Sequence, residues 1–140
     1  MYPEGQEILV VIDDRERRKE VARILGDEGF AITAAAEGLA ALRAIGSQRF
    51  AMVVAAARLP GSLDGATTVR QARVRQPWLK ALFIEDGSIR RDRGNPDTDD
   101  FIAAPFERRE LIGCAFELLH RPTADGRELS LRARTELGVG

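Results

Sequence analysis

Residues 50–61, Phe50-Ala51-Met52-Val53-Val54-Ala55-Ala56-Ala57-Arg58-Leu59-Pro60-Gly61, constrain the fold more than any other stretch. An apolar run of this length, closed by Pro-Gly and bracketed by helical patterns, reads as a central strand buried on both faces of a parallel sheet. In open α/β sheets ligands bind outside the carboxyl ends of the strands, near the point where strand order reverses. Here that end offers Ala55, Ala56 and Ala57, which supply no nucleophile, acid or metal ligand. The chain has the plan of a fold built around a reactive centre, and the centre is blank.

The flanking sequence repeats the rhythm. Ile8-Leu9-Val10-Val11-Ile12 is a β-branched run that stops at Asp13-Asp14, either of which can cap the helix that follows. In that helix Val21, Ile24 and Leu25 form the apolar side, and Gly29 ends it. Phe30-Ala31-Ile32-Thr33-Ala34 reads as a second strand, 37–45 as a second helix and 66–75 as a third. Ala81-Leu82-Phe83-Ile84 is a fourth strand without polar alternation, Phe101-Ile102-Ala103 a short fifth, and 107–119 a final helix. Strands alternating with helices, joined by right-handed crossovers, give a doubly wound α/β sheet.

One helix is missing from the pattern. Between the fourth and fifth strands, residues 85–100 contain a single large apolar side chain, Ile89, together with Gly94 and Pro96. Such a segment cannot bury a stripe, so a loop or one helical turn is expected there. The domain is expected to run over residues 1–120. Beyond it, 121–140 is a tail in which Leu129, Ala133 and Leu137 recur every four residues, enough for a short helix but too little for a separate output domain.

Charge and cysteine content narrow the function classes. Lysine and arginine total 21 against 22 acids, a net charge of −1, so no basic footprint points to nucleic acid and none is expected as a partner. Cys114 is the only cysteine, which excludes an intramolecular disulfide or a cysteine-based zinc site. Residues 1–5 do not form a charged leader, and no apolar run approaches the ~18 residues that suggest a membrane span. A cytoplasmic protein with no membrane partner is expected.

The order of elements, together with Leu9-Val10-Val11-Ile12-Asp13-Asp14, Gly29-Phe30, Arg58-Leu59-Pro60-Gly61, Asp64-Gly65 and Asp100-Phe101-Ile102-Ala103-Ala104-Pro105-Phe106, resembles a bacterial response-regulator receiver domain. The resemblance covers roughly 7–119. It implies a five-stranded flavodoxin-like sheet of order 2-1-3-4-5, here with its fourth helix shortened or replaced by a loop. It also implies a family chemistry in which a histidine kinase phosphorylates an aspartate with the help of Mg²⁺.

The departures from that pattern fall on the chemistry. By the resemblance, the acceptor aspartate lies four residues before Pro60, at Ala56, and the family's lysine lies before Pro105, at Ala104. The switch Thr/Ser falls on Glu85, whose charge would repel a phosphoryl group, and the switch aromatic on Phe101. Counting back from Gly29 places the acidic pair on Ile12 and Asp13, with Asp14 one step beyond. Asp13 is then at most a weak metal ligand, since Mg²⁺ generally takes one or two carboxylates together with phosphate oxygens. Arg58 is a candidate for the positive charge lost at Ala104, and the resemblance points to a cis bond before Pro105.

The expected function is that of a degenerate, pseudo-receiver domain that acts by protein–protein contact, independently of aspartyl phosphorylation. It is not an enzyme, has no cofactor and binds no Mg²⁺ tightly. The implied partner is a two-component signalling protein (a kinase, phosphotransfer protein or regulator) or a second copy of the chain, with a homodimer left open. Two rivals stand beside this reading. One is a flavodoxin-like module binding a small molecule or nucleotide in the strand-end crevice, and the other is an authentic phosphorelay receiver using Asp13 or Asp14 as acceptor.

Overall fold

Apolar runs that cannot alternate must be covered on both sides, and the computed structural model, which describes residues 6–87 and 95–122, does so with two helical layers. Five strands, β1 (Glu7–Val11), β2 (Ala31–Ala35), β3 (Met52–Ala56), β4 (Lys80–Glu85) and β5 (Asp99–Ala103), form one parallel sheet in the order β2-β1-β3-β4-β5. The helices are α1 (Arg15–Asp27), α2 (Gly38–Ser47), α3 (Gly65–Arg75) and α4 (Arg108–His120). This is the flavodoxin-like order that the resemblance to receiver domains implies. The chain leaves β1 for β2 on one side and returns to β3 on the other, so the strand order reverses between β1 and β3.

Side chains of successive strand residues point to opposite faces and divide the core in two. Ile8, Val10, Met52, Val54, Leu82 and Ile84 pack with Val21, Ile24 and Leu25 of α1 and Leu111, Ala115 and Leu118 of α4. Leu9, Val11, Val53, Ala55, Ala81 and Phe83 pack with Ala41 and Ile45 of α2 and Val69 and Ala72 of α3.

Buried polar groups tie the layers together at the amino ends of the strands. Gln76 follows α3 and is 4% exposed. Its amide nitrogen donates to Ile45 O at 3.0 Å and Gln48 O at 2.8 Å, and its oxygen accepts from Phe50 N–H at 2.9 Å. Removing a buried partner exposes the others to their full desolvation cost. Gln76→Ala is expected to lower stability by about 2–3 kcal/mol, measured by urea denaturation. Lys80, at the start of β4, donates its ammonium to Leu118 O at 2.7 Å and to Arg121 O. It thereby caps the carbonyl end of α4. Burial and the nearby Arg121 guanidinium lower its pKa from the ordinary lysine value.

Most element boundaries moved by one or two residues from the sequence reading. β5 starts at Asp99, two residues earlier than the apolar run, because Asp99 pairs with Ala81 and its carboxylate meets Arg73 at 2.5 Å. Arg73 also donates to Leu79 O at 2.9 Å, so α3 is strapped to the entry of β4 and to β5. Among the described residues no helix lies between β4 and β5. Residues 88–94, within the expected loop, and 123–140, with the expected tail helix, lie outside the described residues. Cys114 packs against the α1–α4 core, and burial with nearby Asp100, Glu117 and Glu110 raises its thiol pKa.

Candidate functional site

The carboxyl ends of β1, β3 and β4 open onto a cleft of about 410 Å³, where Ile12, Asp13, Asp14, Ala56, Arg58 and Glu85 come together. Each strand delivers its residue through the hydrogen-bonding that ends it. Ile12 continues the ladder past β1, its N–H donating to Ala35 O at 3.0 Å, and its side chain is 1% exposed. Ala57 N–H donates to Ile84 O at 2.8 Å, which holds Ala56 at the tip of β3. Ala104 N–H donates to Glu85 O at 2.6 Å, joining the tips of β4 and β5.

The turn from β1 into α1 separates the two acids. Asp14 is the N-cap of α1: its carboxylate accepts from Arg17 N–H at 2.9 Å, satisfying one of the helix's orphan donors. Arg18 reaches back from the first turn to donate to Ile12 O at 2.8 Å and Asp13 O at 3.2 Å, pinning the turn. Asp13 is left exposed at the cleft with Ile12 buried beneath it. The turn from β3 into α3 uses the same device, with Asp64 accepting from Thr67 N–H at 2.8 Å.

The remaining expected positions lie beside the cleft and do not line it. Ala104 packs against the α1–α4 core, and Pro105, exposed, follows it through a cis peptide bond. Phe101 is half-buried on the opposite face, stacked on Phe83 with ring centroids 5.2 Å apart and planes at 23°. Sequence reasoning did not foresee Arg17, Ile84 or Asp86 on the cleft wall, nor Arg18 as the clamp of the first turn. Arg17 follows from the cap: with Asp14 as N-cap it is residue N3, whose backbone N–H bonds the cap carboxylate, an assignment the sequence left open between Asp13 and Asp14.

Chemically, the cleft has an alkyl floor of Ile12, Ala56, Ala57 and Ile84 and a charged rim of Asp13, Asp14, Glu85 and Asp86 with Arg17 and Arg58. Hydrocarbon occupies two of the strand ends where a hard cation would need oxygen. Among the described residues no three Asp, Glu, His or Cys side chains converge as ligands for a metal ion.

Known proteins match this chain along most of its length. Transcriptional regulatory protein TctD of Salmonella typhimurium is 31% identical over 87% of this chain and 55% of its own. Response regulator MprA of Mycolicibacterium vanbaalenii is 36% identical over 84% of this chain and 52% of its own. Among solved structures, a response regulator receiver protein from Sinorhizobium medicae superposes with a TM-score of 0.76 at 26% identity, covering 83% of this chain and 95% of its own. The chain thus spans about half the length of the curated relatives it matches.

That finding overturns the expectation that nucleic acid is no partner, because TctD is named a transcriptional regulatory protein. The balanced charge on which the exclusion rested describes the surface of this segment alone. It carries no information about what the other half of such a protein touches. No helix among the described residues is long and apolar enough to cross a membrane. The model of the response regulator receiver domain matches residues 8–115, and with the fold and the strand-end cleft in place the chain belongs to that family.

Proposed function

We propose that this receiver domain works by contact with other two-component signalling proteins and is not switched by aspartyl phosphorylation. One observation carries the reading: the tip of β3 presents the methyl group of Ala56 to the cleft. A phosphoryl group needs an oxygen nucleophile, and a methyl group has none. Ile12 beside it and Ala104 at the end of β5 remove a carboxylate and an ammonium from the same neighbourhood. Any charge gained there would meet Glu85 and Asp86 across the cleft.

On this reading the chain is not an enzyme, holds no Mg²⁺ tightly and acts in the cytoplasm, where the kinase, phosphotransfer protein or regulator it contacts is found. Incubation with acetyl phosphate and Mg²⁺ tests it by intact mass. The expected spectrum contains the unmodified chain alone. A phosphoryl adduct that disappears in an Asp13→Asn, Asp14→Asn double variant would establish a non-standard acceptor and overturn the proposal.

A further inference from the structure

We infer that the outer face of the α2–α3 layer is a docking surface for an acidic segment of a partner protein that carries apolar side chains among its carboxylates. The inference deepens the reading of the chain as a protein-contact module and rests on it. Two independent properties of the layer coincide. The first is apolar exposure: Leu39, Val74 and Trp78, at 49%, 80% and 42%, are the exposed large hydrophobics among the described residues. All three belong to α2, α3 or the turn that follows α3. Single exposed apolar residues are ordinary on any protein, but their confinement to one layer is not.

The second property is uncompensated charge. In α2, α3 and the segments that follow them, residues 38–49 and 65–79, the sequence carries five arginines and no acid; Arg73 is paired with Asp99, and the acids that precede the two helices are their N-cap residues, Glu37 and Asp64. Asp64 is spent on the N-cap of α3. Arg43, Arg70 and Arg75 are exposed and form no ion pair with a carboxylate among the described residues. Leu39 and Arg43 are four residues apart on α2, as are Arg70 and Val74 on α3, so each helix shows one cation and one apolar group on its outer face.

The two helices are held in register by Gln76, whose side chain bonds the carbonyls of Ile45 and Gln48. At the same end the Trp78 ring is fixed by its Nε1–H donating to Phe50 O at 2.9 Å, with the Arg49 guanidinium 4.1 Å from the ring centroid. Tryptophan and arginine are the residues most enriched at the energetic centres of protein interfaces. A protein segment fits better than nucleic acid, because Val74 and Leu39 offer nothing to a phosphate backbone. One face of Trp78 is also already covered by Arg49, which reduces its use for stacking a base.

Trp78 is the only tryptophan in the chain, so intrinsic fluorescence reads this surface directly. The probe is a synthetic, tryptophan-free peptide alternating glutamate and leucine, titrated into the full chain. The expected result is a saturable shift of Trp78 emission. The affinity should fall roughly tenfold or more in an Arg70→Glu, Arg75→Glu double variant and with added salt, as for any contact steered by exposed charge. A thermal melt establishes that the variant is folded, and Arg43→Glu serves as a second variant should it not be. The inference is overturned by an absent shift, by an equal response to the same peptide with glutamine for glutamate, or by a double variant that binds unchanged. It is equally overturned by duplex DNA competing at equal charge, or by sedimentation showing the unliganded chain self-associating through this face. A phosphoryl adduct in the acetyl phosphate experiment would defeat the protein-contact reading, whereas a failed peptide titration with an unlabelled chain defeats this surface alone.

Discussion

Gly65→Ala is expected to lower stability by about 3 kcal/mol, the upper part of the range for overpacking against atoms that cannot move aside. A Cβ at position 65 would drive into the carbonyl oxygen of Ala56 and sit 3.2 Å from Ala57 Cα. Both are backbone atoms at the tip of β3, and Gly65 N–H donates to Ala57 O at 3.2 Å. The first turn of α3 is therefore seated directly on the strand end. Relief of the clash requires the helix to lift or the strand tip to tilt, and either motion deforms the cleft. Urea denaturation measures the loss, and amide shifts of Ala56, Ala57 and Arg58 in the folded fraction locate the deformation. A stability within about 1 kcal/mol of the parent chain would show that α3 is not packed this closely.

Leu82→Ala should cost about 3–4 kcal/mol, as expected when a fully buried leucine leaves a cavity that its surroundings only partly fill. Leu82 lies at the middle of β4 with no exposed surface, between the pairings with Val54 of β3 and Asp100 of β5. Its side chain enters the core shared with α1 and α4. Two neighbouring strands hold the backbone, so the sheet cannot collapse into the void. The same substitution at Leu39, 49% exposed, should change stability by less than about 0.5 kcal/mol. Comparing the two separates cavity formation from loss of leucine as such.

The sheet was legible in the sequence because burial on both faces leaves a simple trace. Runs such as Met52-Val53-Val54-Ala55 and Ala81-Leu82-Phe83-Ile84 have no polar alternation, and parallel order follows from the helices between them. The start of β5 was not legible, since Asp99 and Asp100 are charged residues in a strand and are tolerated only because Arg73 and Arg121 reach them from elsewhere in the chain. No local pattern announces a partner that far away. The burial of Gln76 and Lys80 was not legible for the same reason, since it depends on carbonyls brought in by α2 and α4.

At the cleft, it was the resemblance to receiver domains that singled out Ala56, Ile12 and Asp13, by carrying the family's site positions onto this sequence. The division of labour between Asp13 and Asp14 was not legible, because either residue satisfies the sequence requirements of an N-cap. Only the geometry of the turn, with Arg18 bonded to the carbonyls of Ile12 and Asp13, assigns the cap to Asp14. The nucleic-acid exclusion failed for a different reason: net charge is a property of a surface, and the match to this chain takes in only 55% and 52% of the two relatives' own lengths.

The most direct measurement of the central claim is a beryllofluoride titration of the full chain with Mg²⁺, followed by backbone amide shifts. Beryllofluoride mimics an acyl phosphate only where a carboxylate accepts it and a metal ion supports it. Unchanged resonances of Asp13, Ala56, Ala57 and Glu85 at saturating reagent are the predicted result, since the floor of the cleft is alkyl. Saturable shifts at those residues, propagating to Phe101, would contradict it and would mean that the pocket still receives a phosphoryl group.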